Sequence, residues 1–355
     1  MLTISGLVAL VGQIPGGALV DAARSERTLA AWAIGAISLS ALMLAAWPVF
    51  AVVLGAEVLH AAASCVLGPA LAAISLGLVG HALIGERLGR NARFASIGNG
   101  VAAAAMGACG YFLSNRAVFF LTAALVLPAL VALWRIRPDE IDPVRAHGGI
   151  SEPPPTRLIA GLRKLARNRP LIILAGGALT FHLANAAMLP LVAGTVTMRS
   201  ARWATVLIAA CIVVPQCVVA AFSPWVGRKA QQWGRRPLLL IGLGALPLRG
   251  VLFAFTGEPY ALVAIQLLDG VAAAVMAVMI PLIVADVTRG SGRFNLAQGV
   301  VGSAIGVGAS LSTTIGGYMT DHFGSRAAFL ALGAVALSGF LTMVAAMPET
   351  RPADA

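Results

Sequence analysis

Hydrophobic positions run unbroken along most of this chain, and polar positions gather in short gaps between the runs. Eleven runs are long enough to cross a bilayer as helices, near 3–20, 28–47, 49–78, 94–114, 117–134, 171–195, 203–222, 238–255, 260–285, 296–319 and 327–347. A hydrocarbon core about 30 Å thick takes about 20 residues at 1.5 Å each. None of the runs alternates as a barrel strand does. Backbone in lipid must satisfy its own hydrogen bonds, so helices are the predicted elements. A polar stretch, 135–170, separates the fifth run from the sixth and holds Pro153–Pro155 and eight Lys or Arg residues. The pattern predicts an N-terminal membrane half over 1–134, a linker over 135–170, a C-terminal half over 171–348 and a short tail over 349–355. The expected fold class is an all-α integral membrane bundle in two halves.

Composition closes off the soluble alternatives. Hydrophobic residues are 59% of the chain and charged residues 11%, with mean hydropathy +0.89; a soluble domain carries about a quarter charged residues. The net charge of +11 points to topology rather than nucleic acid, because the basic residues sit in the gaps. With the linker inside, 20 Lys or Arg fall on its side of the membrane and four on the other, with Arg249 inside a run. That bias predicts a cytoplasmic linker and C-terminus, and an odd number of spans then puts Met1 outside. High Ala, Gly and Arg usage suggests a bacterial inner membrane. The start lacks the basic region of a cleavable signal peptide. Cys65, Cys109, Cys211 and Cys217 lie within apolar runs with no metal-type spacing. No metal or cofactor is expected. The absence of H-E-x-x-H and G-x-S-x-G sequences leaves no support for an intramembrane enzyme.

The halves repeat. Arg116-Ala-Val-Phe-Phe-Leu aligns with Arg326-Ala-Ala-Phe-Leu-Ala, with Pro138 and Pro348 following at one distance. Gly89-Arg90-Asn91 is similar to Gly292-Arg293-Phe294-Asn295, and Gly98 and Gly107 are spaced as Gly299 and Gly308 are. A loop motif also recurs: Gly17-Ala-Leu-Val-Asp21 with Arg24 and Arg27, then Gly227 with Gly234-Arg235-Arg236, where Gln231 replaces the acid. On these features the chain resembles the major facilitator superfamily, whose motif reads G-x-x-x-D-(R/K)-x-G-R-(R/K). The resemblance implies a two-half transporter working by alternating access, here with eleven helices and no counterpart of the family's first, so that the first half holds family helices 2–6 and the second 7–12. It implies a cytoplasmic gate at Gly17, Asp21, Arg24, Arg27, Gly227, Gly234, Arg235 and Arg236. Glycine lets two helices approach closely, and Asp21 is expected to face the positive end of a neighbouring helix or a basic loop residue.

Ionisable side chains within spans, and the amides beside them, are the candidates for substrate and proton binding, because an ionisable group costs about 2.5–3.5 kcal/mol near a helix centre. They come as i, i+3 pairs: Glu57 and His60, His182 and Asn185, Gln266 and Asp269. Each pair shares a helix face. All lie near the midplane, and the resemblance places them on family helices 4, 7 and 10, which line the cavity. A carboxylate beside a histidine suits proton coupling. Glu57 stands where the family often has Arg, which favours a cationic or neutral substrate. Arg249 either pairs with a carboxylate or snorkels to the outer interface. The Gly-Pro motif of drug–proton antiporters is replaced by Tyr111-Phe112, so efflux is possible without its best signature. The expected partners are a small-molecule substrate, protons and the lipid bilayer, with the protein monomeric. A membrane receptor or regulator that has lost transport, or a truncated fragment of such a carrier, is the competing reading.

Overall fold

The computed structural model describes residues 2–149, 158–199 and 204–352; Pro153–Pro155 and Arg202 lie outside them. Every regular element in this range is helical: α1 (Leu2–Asp21), α2 (Glu26–Ala46), α3 (Phe50–Phe112), α4 (Asn115–Ala124), α5 (Val126–Trp134), α6 (Pro143–Ala146), α7 (Leu158–Leu165), α8 (Arg169–Asn185), α9 (Met188–Arg199), α10 (Ala204–Trp233), α11 (Arg235–Phe255), α12 (Pro259–Val287) and α13 (Phe294–Ala346), with one 3-10 turn at Pro138–Glu140. The all-helical expectation holds. Eight helices or helix pairs among the described residues are long and apolar enough to cross a membrane. Their lateral surfaces carry large apolar side chains, among them Trp32, Phe50, Phe94, Tyr111, Phe112 and Tyr260, that a water-facing protein would bury.

Two of these helices exceed any bilayer. At 1.5 Å per residue, 63 residues of α3 and 53 of α13 would each reach about two to three hydrocarbon thicknesses. Glycine breaks both. Gly80 has φ +66° and Gly324 φ +80°, a backbone region that only glycine enters cheaply. The count of eleven runs treats the pieces on either side of these breaks as separate spans.

The chain clusters into two compact units: 1–84 with 100–167 and 288–303, and 85–99 with 168–287 and 304–355. These differ from the contiguous halves read from the sequence. The start of α13 packs in the first unit, and a segment of α3 packs in the second. In the first unit a core of Val20, Ala30, Ala70, Ala73, Ile74 and Leu133 extends to Ile141 and Ala146 of the linker. The linker is therefore partly folded. Asp142 caps α6 by accepting from Val144 and Arg145 N–H groups at 2.9 and 3.1 Å, and the Asp142 N–H donates to the Gly77 carbonyl at 3.2 Å. In the second unit Asn168 caps α8 through the Leu171 N–H at 3.2 Å. The same amide donates to the last carbonyl of α12, that of Val287, at 2.8 Å, tying the two helices together.

Candidate functional site

The second unit holds a buried polar cluster on three helices. Arg249 of α11 is 1% exposed. One terminal nitrogen of its guanidinium donates to Asp269 Oδ1 of α12 at 2.7 Å and to Asn185 Oδ1 of α8; the other donates to Gln266 Oε1 of α12 at 2.6 Å. The Phe253 ring lies 5.3 Å away. A guanidinium stays charged at any physiological pH, so burying it demands an anion. Asp269 supplies one, which makes the group neutral as a whole, and the two amides accept from one further donor on each terminal nitrogen. Asp269 keeps 23% side-chain exposure against 1% for Arg249, so the acid is the accessible member. Arg249 Nε and Gln266 Nε2 have no hydrogen-bond partner among the described residues.

Local sequence explains the placement. Gln266 and Asp269 are three residues apart on α12 and so share a face. Asn185 is the last residue of α8, where the helix breaks before α9. That break is pinned by the Ala187 N–H, which donates to the buried Ser312 Oγ of α13 at 2.9 Å. Gly316 leaves room for it, since a Cβ there would collide with Ala187.

Of the six residues read from the sequence, the structure brings Asn185, Gln266 and Asp269 together. His182 lies one turn before Asn185, half-buried, its ring edge-on to Phe181 at 5.2 Å and outside the hydrogen-bonded cluster. Glu57 (half-buried) and His60 (exposed) belong to the first unit, on α3. Of the two fates open to Arg249, the structure shows the paired one. Its signal in the sequence was being the sole basic residue inside a span.

The residues that the resemblance implies as a gate fall into two assemblies, one in each unit. In the first, Asp21 caps α13: Oδ1 accepts from the Asn295 N–H at 3.1 Å and Nδ2 at 2.9 Å, and Oδ2 from the Leu296 N–H at 2.8 Å. A carboxylate at a helix N-terminus meets both unpaired N–H groups and the positive dipole end. Gly17 allows the approach, since a Cβ there would strike the Asn295 carbonyl. Arg24 is exposed and Arg27 half-buried; neither touches Asp21. In the second unit Arg235 is 1% exposed. Its Nε donates to Asp286 Oδ2 at 2.8 Å, and one terminal nitrogen closes the end of α10 through the Ala230 carbonyl at 2.7 Å and Gln231 Oε1 at 3.1 Å. Gly234 turns the chain at φ +90°. Glu349 caps α11, accepting from the Arg235 and Arg236 N–H groups at 2.8 and 3.1 Å. Burial pushes the Glu349 carboxyl up, but the N–H groups of Arg235, Arg351, Arg236 and Thr350 outweigh it and leave it below the usual range.

Sequence reasoning missed Asp286, Glu349 and the linker's part. His147 Nε2 lies 3.1 Å from Glu26 Oε1 at the start of α2, an ion-pair distance without hydrogen-bond alignment. The carbonyl of the adjacent Gly148 accepts from the Gly290 N–H at 2.7 Å and the carbonyl of His147 itself from the Phe294 N–H at 3.4 Å. The polar contact with Glu26 raises the imidazole above its ordinary value, against burial, and the Asp21 charge adds to the rise.

These features recur by translation along the chain. Adding 210 to Gln13, Gly17, Gly85 and Gly89 gives Ser223, Gly227, Asn295 and Gly299. The close contacts follow the same shift: Gly17 against Asn295 and Gly299 against Gln13 match Gly227 against Gly85 and Gly89 against Ser223. The register pairing Gly98 with Gly299 is therefore not the one in which packing repeats. Gly98, Gly100 and Gly107 face open space instead.

The family model described as Major Facilitator Superfamily matches residues 1–246 and 183–355, together the whole chain. The chain belongs to the major facilitator superfamily. An uncharacterized MFS-type transporter of Mycobacterium tuberculosis is 41% identical to this superfamily member over 359 residues, all of this chain and 85% of the relative. The class B tetracycline resistance protein of Escherichia coli is 35% identical over 97 residues, 27% of this chain and 24% of that protein. The solved structure of the E. coli fucose:proton symporter superposes with TM-score 0.74 at 15% identity, over 97% of this chain and 89% of that one. The superfamily is one of transporters rather than enzymes, and this member is a multi-pass membrane protein.

Proposed function

We propose that the chain moves a small molecule by alternating access in the inner membrane of a bacterium, coupled to protons, with its C-terminus in the cytoplasm. The observation that carries the coupling is the Arg249–Asp269 pair at 2.7 Å. Arg249 cannot lose its charge, so a proton arriving on Asp269 leaves the guanidinium in need of another partner. A substrate that supplies that partner, or a rearrangement that brings one, links proton and substrate occupancy at one place. Glu57 is the second titratable candidate, with His60 one turn along α3, and His182 is the imidazole one turn before Asn185 on α8. Efflux is favoured as the direction by the partial likeness to the tetracycline resistance protein.

The test uses purified protein in proteoliposomes with an internal pH dye, with tetracycline first in a panel of compounds. Compound-evoked proton movement in the wild type should vanish in Glu57→Gln and Asp269→Asn, while exchange of compound across the membrane persists. Proton-driven movement surviving both substitutions overturns the coupling. Saturable binding with no movement of any bound compound supports the receptor reading instead.

A further inference from the structure

The linker helix α7 (Leu158–Leu165) has a basic, apolar-edged face that neither gate nor cluster uses. Its inner face is Gly161 and Leu165, both buried. Gly161 sits so close to the start of α13 that a Cβ would touch the Leu296 side chain, with the Arg293 guanidinium alongside. The outer face is an open groove of about 970 Å³ lined by Leu158, Ile159, Ala160, Arg163, Lys164 and Arg167. Ile159 is 80% exposed. The i, i+4 spacing stacks Ile159 and Arg163 in one row, with Ala160 and Lys164 beside it, and Arg167 follows in the turn after the helix, its N–H donating to the Lys164 carbonyl at 3.2 Å.

Two anchors put this face at the membrane boundary. Arg167 is two residues before Arg169, where the α8 span begins, so at most about 7 Å of chain separates them. Leu296, against which Gly161 packs, is the third residue of α13, the start of another span. Arg163, Lys164, Arg167 and Arg293 form no ion pair with any described carboxylate. An exposed isoleucine beside three unneutralised cations, held at a bilayer edge, has the chemistry of an interfacial helix: apolar side chains enter the acyl boundary and the cations meet headgroup phosphates.

We propose that α7 docks on the anionic lipid headgroups of the leaflet on the linker side. Through Gly161 and Leu296, lipid occupancy then bears on the helix end that Asp21 caps, making the gate sensitive to lipid charge.

The test is hydrogen–deuterium exchange on the full chain in nanodiscs of phosphatidylcholine alone or with phosphatidylglycerol. Each basic side chain near an anionic surface shifts an equilibrium about fivefold, so amides of 158–167 should exchange at least ~10-fold slower with phosphatidylglycerol. Arg163→Gln/Lys164→Gln/Arg167→Gln should abolish the difference, and raised salt should weaken it. Ile159→Ser, which keeps every charge, should reduce it, separating apolar insertion from charge alone. Equal exchange in both lipids overturns the proposal. So does equal protection from inorganic phosphate added to phosphatidylcholine discs, which would make the face a free-phosphate site.

Discussion

At the residue scale, this transporter places its polar groups where their partners leave little slack. Losing one member of a buried ion pair costs about 3–5 kcal/mol, a large part of what a membrane bundle can spare. Arg249 meets three acceptors on two other elements besides its own, so its position fixes α8, α11 and α12 together. His147 works under a milder rule because its side chain is 22% exposed and solvent screens it in part. Its pKa is raised in the folded protein by Glu26. The pair's contribution to stability is therefore fully present below the imidazole's ordinary value of 6.5 and is lost as pH rises through the raised value. Thermal melting of the purified protein across this range should show the wild-type midpoint falling as pH rises. His147→Gln should remove that component; an identical pH profile in the variant would contradict the assignment.

At the element scale, the helix crossings are set by a few glycines and not by the richest glycine runs. The sequence made the repeat visible through Arg116 and Arg326, whose shift is the 210 residues that also relates the close contacts. It misled at Gly98 and Gly107, because spacing alone does not tell which glycines face a neighbour. The two crossings also differ chemically. Asp21 caps a helix that starts afresh at Phe294, whereas Gln231, its counterpart after 210 residues, carries no charge and accepts from Arg235 through Oε1. Helices, linker and motif residues were readable from hydropathy and charge. The partners of Arg235 were not, since Asp286 and Glu349 lie 51 and 114 residues away from it. Gly17→Ala should lower the melting midpoint and impair function, because its new Cβ meets backbone that cannot rotate aside. Gly98→Ala has open space and should be neutral or gain up to about 1 kcal/mol from helix propensity. The two substitutions compared in one melting series test the assignment; equal effects would refute it.

At the scale of the whole molecule, we propose alternating access in which the Asp21 cap serves as the linker-side gate that the family resemblance implies. The cap holds α1 to the start of α13 through hydrogen bonds to a charged acceptor, which are stronger than neutral ones by about a factor of two. Removing the charge while keeping the shape should loosen that end. The most direct measurement is double electron–electron resonance on protein whose four cysteines are replaced by serine. One spin-label pair is placed at Ala22→Cys and Arg228→Cys on the linker side, a second at Trp47→Cys and Glu258→Cys on the opposite side. Between about pH 5.5 and pH 8, the range in which imidazoles change charge, the two distances should change in opposite senses, and Asp21→Asn should shift the populations toward a longer linker-side distance and a shorter opposite one. Two distances that stay fixed across pH and in Asp21→Asn would contradict the account.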